Sequence, residues 1–599
     1  MKKNQGSRFG GRARLVLPLL MLGILLFTNA SPSQGALPPQ QDDDTHPQRN
    51  PKLDSYLANV AAAAEESVGE ALSAAESGSL RISGDRVHVQ VVTHQAGWEG
   101  VVQAMTEAGG EVSGVGFGDT LIQGWLPVDA LEPVAAEEDV YFIRRPIRVF
   151  PLESLYVGNS TTEGLSVINA TAWHTAGHTG SGVKIGVIDG GFIGYRGLLG
   201  SDLPASVTVR NFVDGEDDAQ VDGTTEHGTA CVEIIYDVAP NSEIYLAKVA
   251  TDLDLAEAVD WLITQRVDII STSLGIYNAT AGDGTGYLAE KVAQARAAGI
   301  LWVTAAGNDR ESHWGGVYSN TDLDSFHEFA DGGDVNCFTT DGVTCSPLLL
   351  AEINVMVRWN DWADVNQDYD VHLVRRDGAG ADWVPVASST DVQNGGPGQT
   401  PTEWVAAIVA LDPGHYGFRI ERVRGNRPVN FEVFTPGFVI TSLRPPRPLE
   451  LVTARSIANL ADAPDAITVA ALDVSSLTQE FYSSEGPTNG PGGAATGGFI
   501  KPDISGFANV STQSYGASAF NGTSAATPHV AGAAALVLSA YPNYSPDQIQ
   551  SFLEGRSVDM GNPGLDARFG YGQLYLGDPP GRSTLNYSIH LPAIVKTQP

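Results

Sequence analysis

EIYLAKVATDLDLAEAVDWLITQRVDIISTSLG, residues 243–275, carries two periodicities in succession. EIYLAKVA (243–250) is an apolar run of strand length. In LAEAVDWLITQ, residues Leu255, Ala258, Val259, Leu262 and Ile263 recur at i, i+3, i+4, i+7 and i+8, one face of a helix. VDIISTSLG (267–275) returns to a strand. The alternation extends outward, with VKIGVID (183–189) before it and the helix YLAEKVAQARAAG (287–299) and strand ILWVTAAG (300–307) after it. It resumes with AITVAALD (466–473) and closes on the helix TSAATPHVAGAAALVLSA (523–540). Strands alternating with helices predict an α/β domain, a parallel sheet with helices on both faces.

The interruption is a separate unit. INVMVRW, DVHLVRR, EWVAAIVAL, YGFRIERV and NFEVFTP are short strand-like runs divided by turn residues. They predict an inserted β-sandwich or jelly-roll domain over 313–450. Trp359, Trp362, Trp383 and Trp404 fall in it, and exposed tryptophans can stack on sugars, although core packing is the commoner use. Cys337 and Cys345 flank a DG turn and are expected to form a hairpin disulfide, leaving Cys231 free.

Upstream, RVHVQVVTH (86–94) alternates like a strand and GWEGVVQAMTEAGG (97–110) reads as a helix closed by glycines. TLIQGWLPV and VYFIRRPIRVF read as further strands, giving a small α+β domain over 57–150. Residues 37–56 are a Pro-, Gln- and Asp-rich linker. Before them, basic residues, the apolar run LVLPLLMLGILLFT and small residues ending at Ala36 have the order of a signal peptide over 1–36. The mature chain is expected to be secreted or extracellular, without a stable membrane span. The tail 578–599 contains the apolar patch IHLPAIVK, which reads as a surface-retention signal or a final strand.

The formal net charge of −35, from 35 basic and 70 acidic residues, repels phosphate backbones and argues against a nucleic-acid partner. Three cysteines in 599 residues exclude a disulfide-scaffold protein.

Four short stretches carry chemistry. GVIDGG (186–191) puts Asp189 at the C-terminal end of a strand, where α/β sheets gather functional groups. A carboxylate there can orient an imidazole. EHGTACVEII (226–235) opens with His227, the natural general base near neutrality. VTAAGND (303–309) places Asn308 just after a strand, with an amide able to donate to an oxyanion. NGTSAATPHVAGAAALVL (521–538) sets Ser524 at a helix N-terminus, where unpaired N–H groups and the dipole favour negative charge. Singly, each is also an ordinary cap or turn.

In this order GVIDGG, HGT, SLG, AAGN and GTSAATPHVAG resemble the subtilase family of serine peptidases. The resemblance covers about 165–312 and 451–577, assigning 160–312 and 451–577 to a subtilisin-like catalytic domain. It implies Ser524 as nucleophile, His227 as general base and acid, Asp189 as its orienter, and Asn308 with the Ser524 amide as oxyanion hole. It implies Ser273, Leu274 and Gly275 as the strand that pairs with substrate, and Ala305, Ala306 and Gly307, after Thr304, as the opposite wall of the specificity pocket. It also implies that 57–150 is an inhibitory propeptide. The expected function is a secreted serine endopeptidase made as a zymogen, with a protein or peptide substrate and no cofactor required for the chemistry.

Two alternatives stand beside this. One is a non-catalytic or surface-binding protein on the same scaffold. The other is a sedolisin-like acid peptidase using Glu226 and Asp237, against which HGT and GVID are intact. Structural Ca²⁺ is compatible with NDWADVNQDYDVHLV, where Asp364, Asn366 and Asp368 offer oxygens at alternate positions between Asp361 and Asp370. The polar loop lacks the turn glycine and the distal glutamate of an EF-hand. His174 and His178 have metal-ligand spacing, but Gly177, Gly180 and Gly182 argue for a loop.

Overall fold

The computed structural model describes residues 50–151, 161–348, 350–378, 380–408, 414–439 and 447–581. The signal peptide expected over 1–36, most of the linker and the end of the tail lie outside these residues. Among the described residues, no helix is long and apolar enough to cross a membrane.

The α/β domain is built on seven strands: β1 (Lys184–Asp189), β2 (Thr208–Asn211), β3 (Glu243–Lys248), β4 (Ile269–Thr272), β5 (Leu301–Ala305), β6 (Ala466–Asp473) and β7 (Ile504–Ala508). All neighbours are parallel, in the order β7-β6-β5-β4-β1-β3-β2. Successive residues of a strand face opposite sides, so each strand feeds two cores. Ile185, Val187, Ile269, Leu301 and Val303 pack on one side with α1 (His227–Val238) and α4 (Gly522–Ala540). Ile188, Ile270 and Trp302 pack on the other with α2 (Asp252–Gln265) and α3 (Tyr287–Ala297). Leu255, Ala258, Val259 and Leu262, the periodic face of α2, are buried there. Each such Leu, Ile or Val contributes about 1.5–3 kcal/mol. Thr251 starts α2 through a reciprocal capping box with Asp254.

The glycine of β7 has a steric cause. A Cβ on Gly506 would lie 2.3 Å from the Ala526 carbonyl oxygen. Helix and strand backbones therefore touch where Ser524 is positioned.

Residues 50–144 form an antiparallel sheet of Ile82–Ser83, Arg86–Thr93, Leu121–Pro127 and Glu111–Gly116, with Val140–Arg144 paired to Arg86–Thr93. Helices Ser55–Ala64, Val68–Ser77 and Trp98–Glu107 cover it. The first begins inside the stretch read as linker. Asp54 accepts from the Leu57 amide and caps it, so a proline-rich lead-in ends in an ordered N-cap. The sheet docks on the start of α2, where Gln90 donates to Asp252 at 2.7 Å and Gln123 to Asp254 at 3.1 Å.

The inserted domain is a two-sheet sandwich. One sheet runs His313–Val317, Asn430–Phe434, Leu350–Trp359, Thr402–Ile408, and the other Val384–Ser389, Asp368–Arg376, Gly414–Arg424, Asn336–Thr339, Arg447–Pro448. Trp359, Tyr369, Tyr416, Phe418 and Phe431 fill the space between. Trp359 is 1% exposed, which removes it from any sugar-binding face: on a strand it points between the sheets. Trp362, Trp383 and Trp404 are half-buried. Cys337 and Cys345 form a disulfide, and Cys231 is a buried free thiol. The insert leaves and re-enters side by side, the Val452 amide donating to the His313 carbonyl at 3.0 Å.

Candidate active site

Asp189 ends β1 at the carboxyl edge of the sheet. Its Oδ2 is 2.7 Å from His227 Nδ1, and its Oδ1 accepts from the Gly190 amide at 2.8 Å. Both side chains are fully buried. His227 opens α1, and the next residue must be glycine: a Cβ on Gly228 would sit 2.6 Å from the Gly191 carbonyl oxygen. The Phe520 ring stands edge-on to the imidazole with centroids 5.7 Å apart. The aspartate therefore fixes the ring's orientation and favours its cation.

Ser524 lies in the first turn of α4. Pro528 follows four residues later and has no N–H to give to the Ser524 carbonyl. Two side chains take its place: Ser273 Oγ donates to that carbonyl at 3.0 Å and Cys231 Sγ at 3.7 Å. In return, Ser524 Oγ donates to the Ser273 carbonyl at 3.2 Å. Cys231, a buried free thiol one turn into α1, thus packs against the backbone of the nucleophile.

Asn308 follows β5. Its Oδ1 accepts from both the amide and the hydroxyl of Thr523, each at 2.9 Å. Two donors on the oxygen settle the orientation of the amide, and its NH₂ remains the donating end. Sequence reasoning passed over Thr523, although it adjoins Ser524 and carries a second hydroxyl. It also passed over Asp309, which is buried and accepts from Tyr277 OH at 2.8 Å. Burial pushes the Asp309 carboxyl up to about 6, against the hydrogen bonds from Tyr277 and Ser312.

The chain's own segment 147–151 lies in the cleft. The Asp252 amide donates to the Ile147 carbonyl at 3.0 Å and the Val149 amide to the Ala250 carbonyl at 3.1 Å. On the other side Phe150 pairs antiparallel with Gly275 and Pro151 with Leu274. Residues 274–275 and 250–252 thus grip one extended strand. The wall Ala305, Ala306 and Gly307 is buried, its carbonyls held by the Ala458 amide at 3.2 Å and the Ser484 amide at 3.0 Å.

The remaining candidates fall elsewhere. Asp237 accepts from the Thr162 amide at 2.8 Å, a bond made away from the Asp189–His227 pair, and Glu226 is the residue before α1. His174 lies in the last turn of a short helix (Ala170–Thr175) and bonds the Val238 carbonyl, while His178 lies beyond that helix. In the acidic loop, Asp361 accepts from the amides of Asn366 and Gln367 and pairs with Arg427. Asn366 Oδ1 accepts from Gln367, and Asp368 from the Gln393 amide at 3.3 Å. Among the described residues, three groups of metal-ligating side chains converge: Asp189 with His227 and Cys231, Asp370 with His372 and Glu421, and Asp322 with Asp324 and Asp334. Asp364 and Asp368 belong to none of them.

Comparison with known proteins agrees with this layout. Residues 180–333 and 440–572 match the subtilase family, and the unmatched stretch between falls inside the β domain. Subtilisin of Bacillus pumilus is 32% identical over 171 residues, 26% of this chain and 57% of that protein. Subtilisin E of Bacillus subtilis (strain 168) is 32% identical over 171 residues, 41% of its length. The chain thus spans about half the length of these relatives. The solved structure of the Clostridium perfringens CspB protease aligns at a TM-score of 0.46 and 16% identity, over 68% of this chain and 96% of that one. With their motif residues gathered on a doubly covered parallel sheet and joined across an insert, residues 180–333 and 440–572 form a domain of the subtilase family.

Proposed function

We propose that the protein is an exported serine endopeptidase made as a zymogen, with residues up to about 150 as its inhibitory propeptide. The observation that carries this is the segment 147–151. It lies antiparallel on Leu274–Gly275, one register step from Ser273, whose carbonyl receives the Ser524 hydroxyl. A peptide bound in that register presents its next carbonyl to the nucleophile.

Ser524 attacks that carbonyl while His227 takes its proton. Asp189 holds the imidazole in one tautomer and stabilises the cation. The Asn308 amide and the Ser524 N–H receive the developing oxyanion, and one such donor is worth on the order of 10²–10³ in rate. His227 then returns the proton to the leaving amine, and water releases the acyl group from Ser524.

The test is mass spectrometry of the exported full-length chain with and without a fluorophosphonate. Loss of the propeptide and a single adduct on Ser524 is the expected result. An intact chain that takes no adduct at neutral or acid pH overturns the proposal. Labelling in acid alone moves it to the sedolisin-like reading.

A further inference from the structure

We propose that the inserted β domain builds part of the substrate cleft: Phe434, Met356 and Trp404, with Tyr277 of the catalytic domain, form a subsite for an aromatic or large apolar side chain. This rests on the peptidase reading above and names a substrate class for it.

The argument starts from alternation along the bound strand. Val149 faces the catalytic domain and is buried in the cluster that holds Leu255 and Val259. Phe150 must face the other way. It packs there against Tyr277, Met356 and Phe434, with Trp404 at the same cluster. Its ring centroid is 5.9 Å from that of Tyr277, which is 5.1 Å from Phe434. Besides Phe150, the cluster takes Met356, Phe434 and Trp404 from the insert and Tyr277 and Ala458 from the catalytic domain.

The shelf is a built surface. Phe434 pairs with Met356 and Met356 with Trp404, so the three stand in one row across three adjacent strands. Trp404 Nε1 donates to Asn354 Oδ1 at 3.0 Å, which fixes the indole. Tyr277 is tied to Asp309, the neighbour of Asn308, at 2.8 Å. A cavity of about 70 Å³ beside Phe150 lies between this shelf (Tyr277, Met356 and Trp404) and Phe142, Arg144, Arg145 and Arg148 of the N-terminal domain, so removal of that domain opens the shelf on this side.

The position this subsite reads follows from the register. The residue opposite Ser273 carries the carbonyl to be cut, the one opposite Leu274 precedes it, and Phe150 opposite Gly275 marks the third on the acyl side. Any extended peptide making the same backbone bonds places its third side chain on this shelf.

The test uses the full-length chain after maturation and fluorogenic peptides that differ only in having Phe, Trp, Ala or Asp at that third position. Wild type is expected to favour Phe and Trp over Ala by about tenfold in kcat/KM and to disfavour Asp. In Trp404→Ala, and separately in Met356→Ala, the Phe-to-Ala ratio falls toward one, and Trp404→Phe restores most of it. Fluorophosphonate labelling of Ser524 reports a folded site in each variant. A wild type that turns over all four peptides equally, or a ratio unchanged in both alanine variants, overturns the subsite and leaves the peptidase reading standing. Hydrolysis of none of the peptides, with no label on Ser524, overturns both.

Discussion

Thr523 holds Asn308 by two hydrogen bonds, amide and hydroxyl both 2.9 Å from the same oxygen. The hydroxyl bond is the removable one. Thr523→Val is expected to lower kcat by about tenfold with little change in KM, since the amide loses half its anchor but keeps its donor. Asn308→Ala removes the donor itself and is expected to cost 10²–10³ in kcat. Equal losses in the two variants would show that Thr523 does more than orient Asn308.

The register predicts where maturation cuts. Counting on from Pro151 opposite Leu274, the acyl carbonyl belongs to position 152, which lies outside the described residues. Edman degradation of the mature protein is expected to begin at Glu153. In Ser524→Ala, expressed without other peptidases, the chain is expected to stay whole. A first cut displaced by two or more residues would contradict the register.

The N-terminal domain, the proposed propeptide, also contacts the insert, and its hold is expected to depend on pH. The Ser55 amide donates to Asp391 at 2.6 Å, and Arg145 pairs with Asp54 at 3.2 Å while lying over the Tyr56 and Trp404 rings. Burial, then the neighbouring Asp54 charge, pushes the Asp391 carboxyl up to about 6, against the pull of Arg145 and Ser55. Burial, with Asp391 and Asp370 beside it, raises Glu403 as well. Released from the interface, Asp391 returns to the ordinary carboxylate range, so the docked state binds the proton more tightly. Docking is therefore strongest below about pH 4 and is lost as pH rises through about 6. The propeptide's Kd for the processed enzyme is expected to weaken on the order of tenfold between pH 5 and 7, and Asp391→Asn to flatten that slope. A steeper slope in the variant would place the titrating group elsewhere.

The contact at Gly506 sets a stability prediction. An added methyl meets the Ala526 carbonyl at 2.3 Å, a backbone atom that cannot turn aside. Gly506→Ala is expected to cost about 1–3 kcal/mol by denaturant titration. Activity should fall further than stability alone explains, because α4 carries Ser524.

The candidate site was legible where its geometry is local. Asp189, His227, Asn308 and Ser524 each sit in a stretch whose neighbours have backbone reasons to be there, such as Gly228 against Gly191 and Pro528 four residues past Ser524. The sheet was legible because α2 repeats its apolar face over two turns and more. Relationships between distant residues were not. Nothing near Phe150 announces Tyr277 or Met356, and nothing near Arg145 announces Asp54 and Trp404. Trp359 read like the other tryptophans because its place between two sheets depends on which strands pair. The start of the helix at Ser55 was hidden because its cap, Asp54, reads as one more aspartate of the Pro-, Gln- and Asp-rich stretch before it.

The adjacency of His313 and Val452 bears on how the molecule comes to be. Asn308 and Thr523 are separated by 215 residues, and such distant partners meet late in folding. Because the ends of the β domain meet at this bond, the insert itself spans the gap, and chain entropy penalises a long excursion by only about 0.6 kcal/mol per doubling. The oxyanion donor and the nucleophile are therefore expected to come together only once the β domain between them has closed. A cleft assembled in that order would be harmless to its own chain while that chain folds.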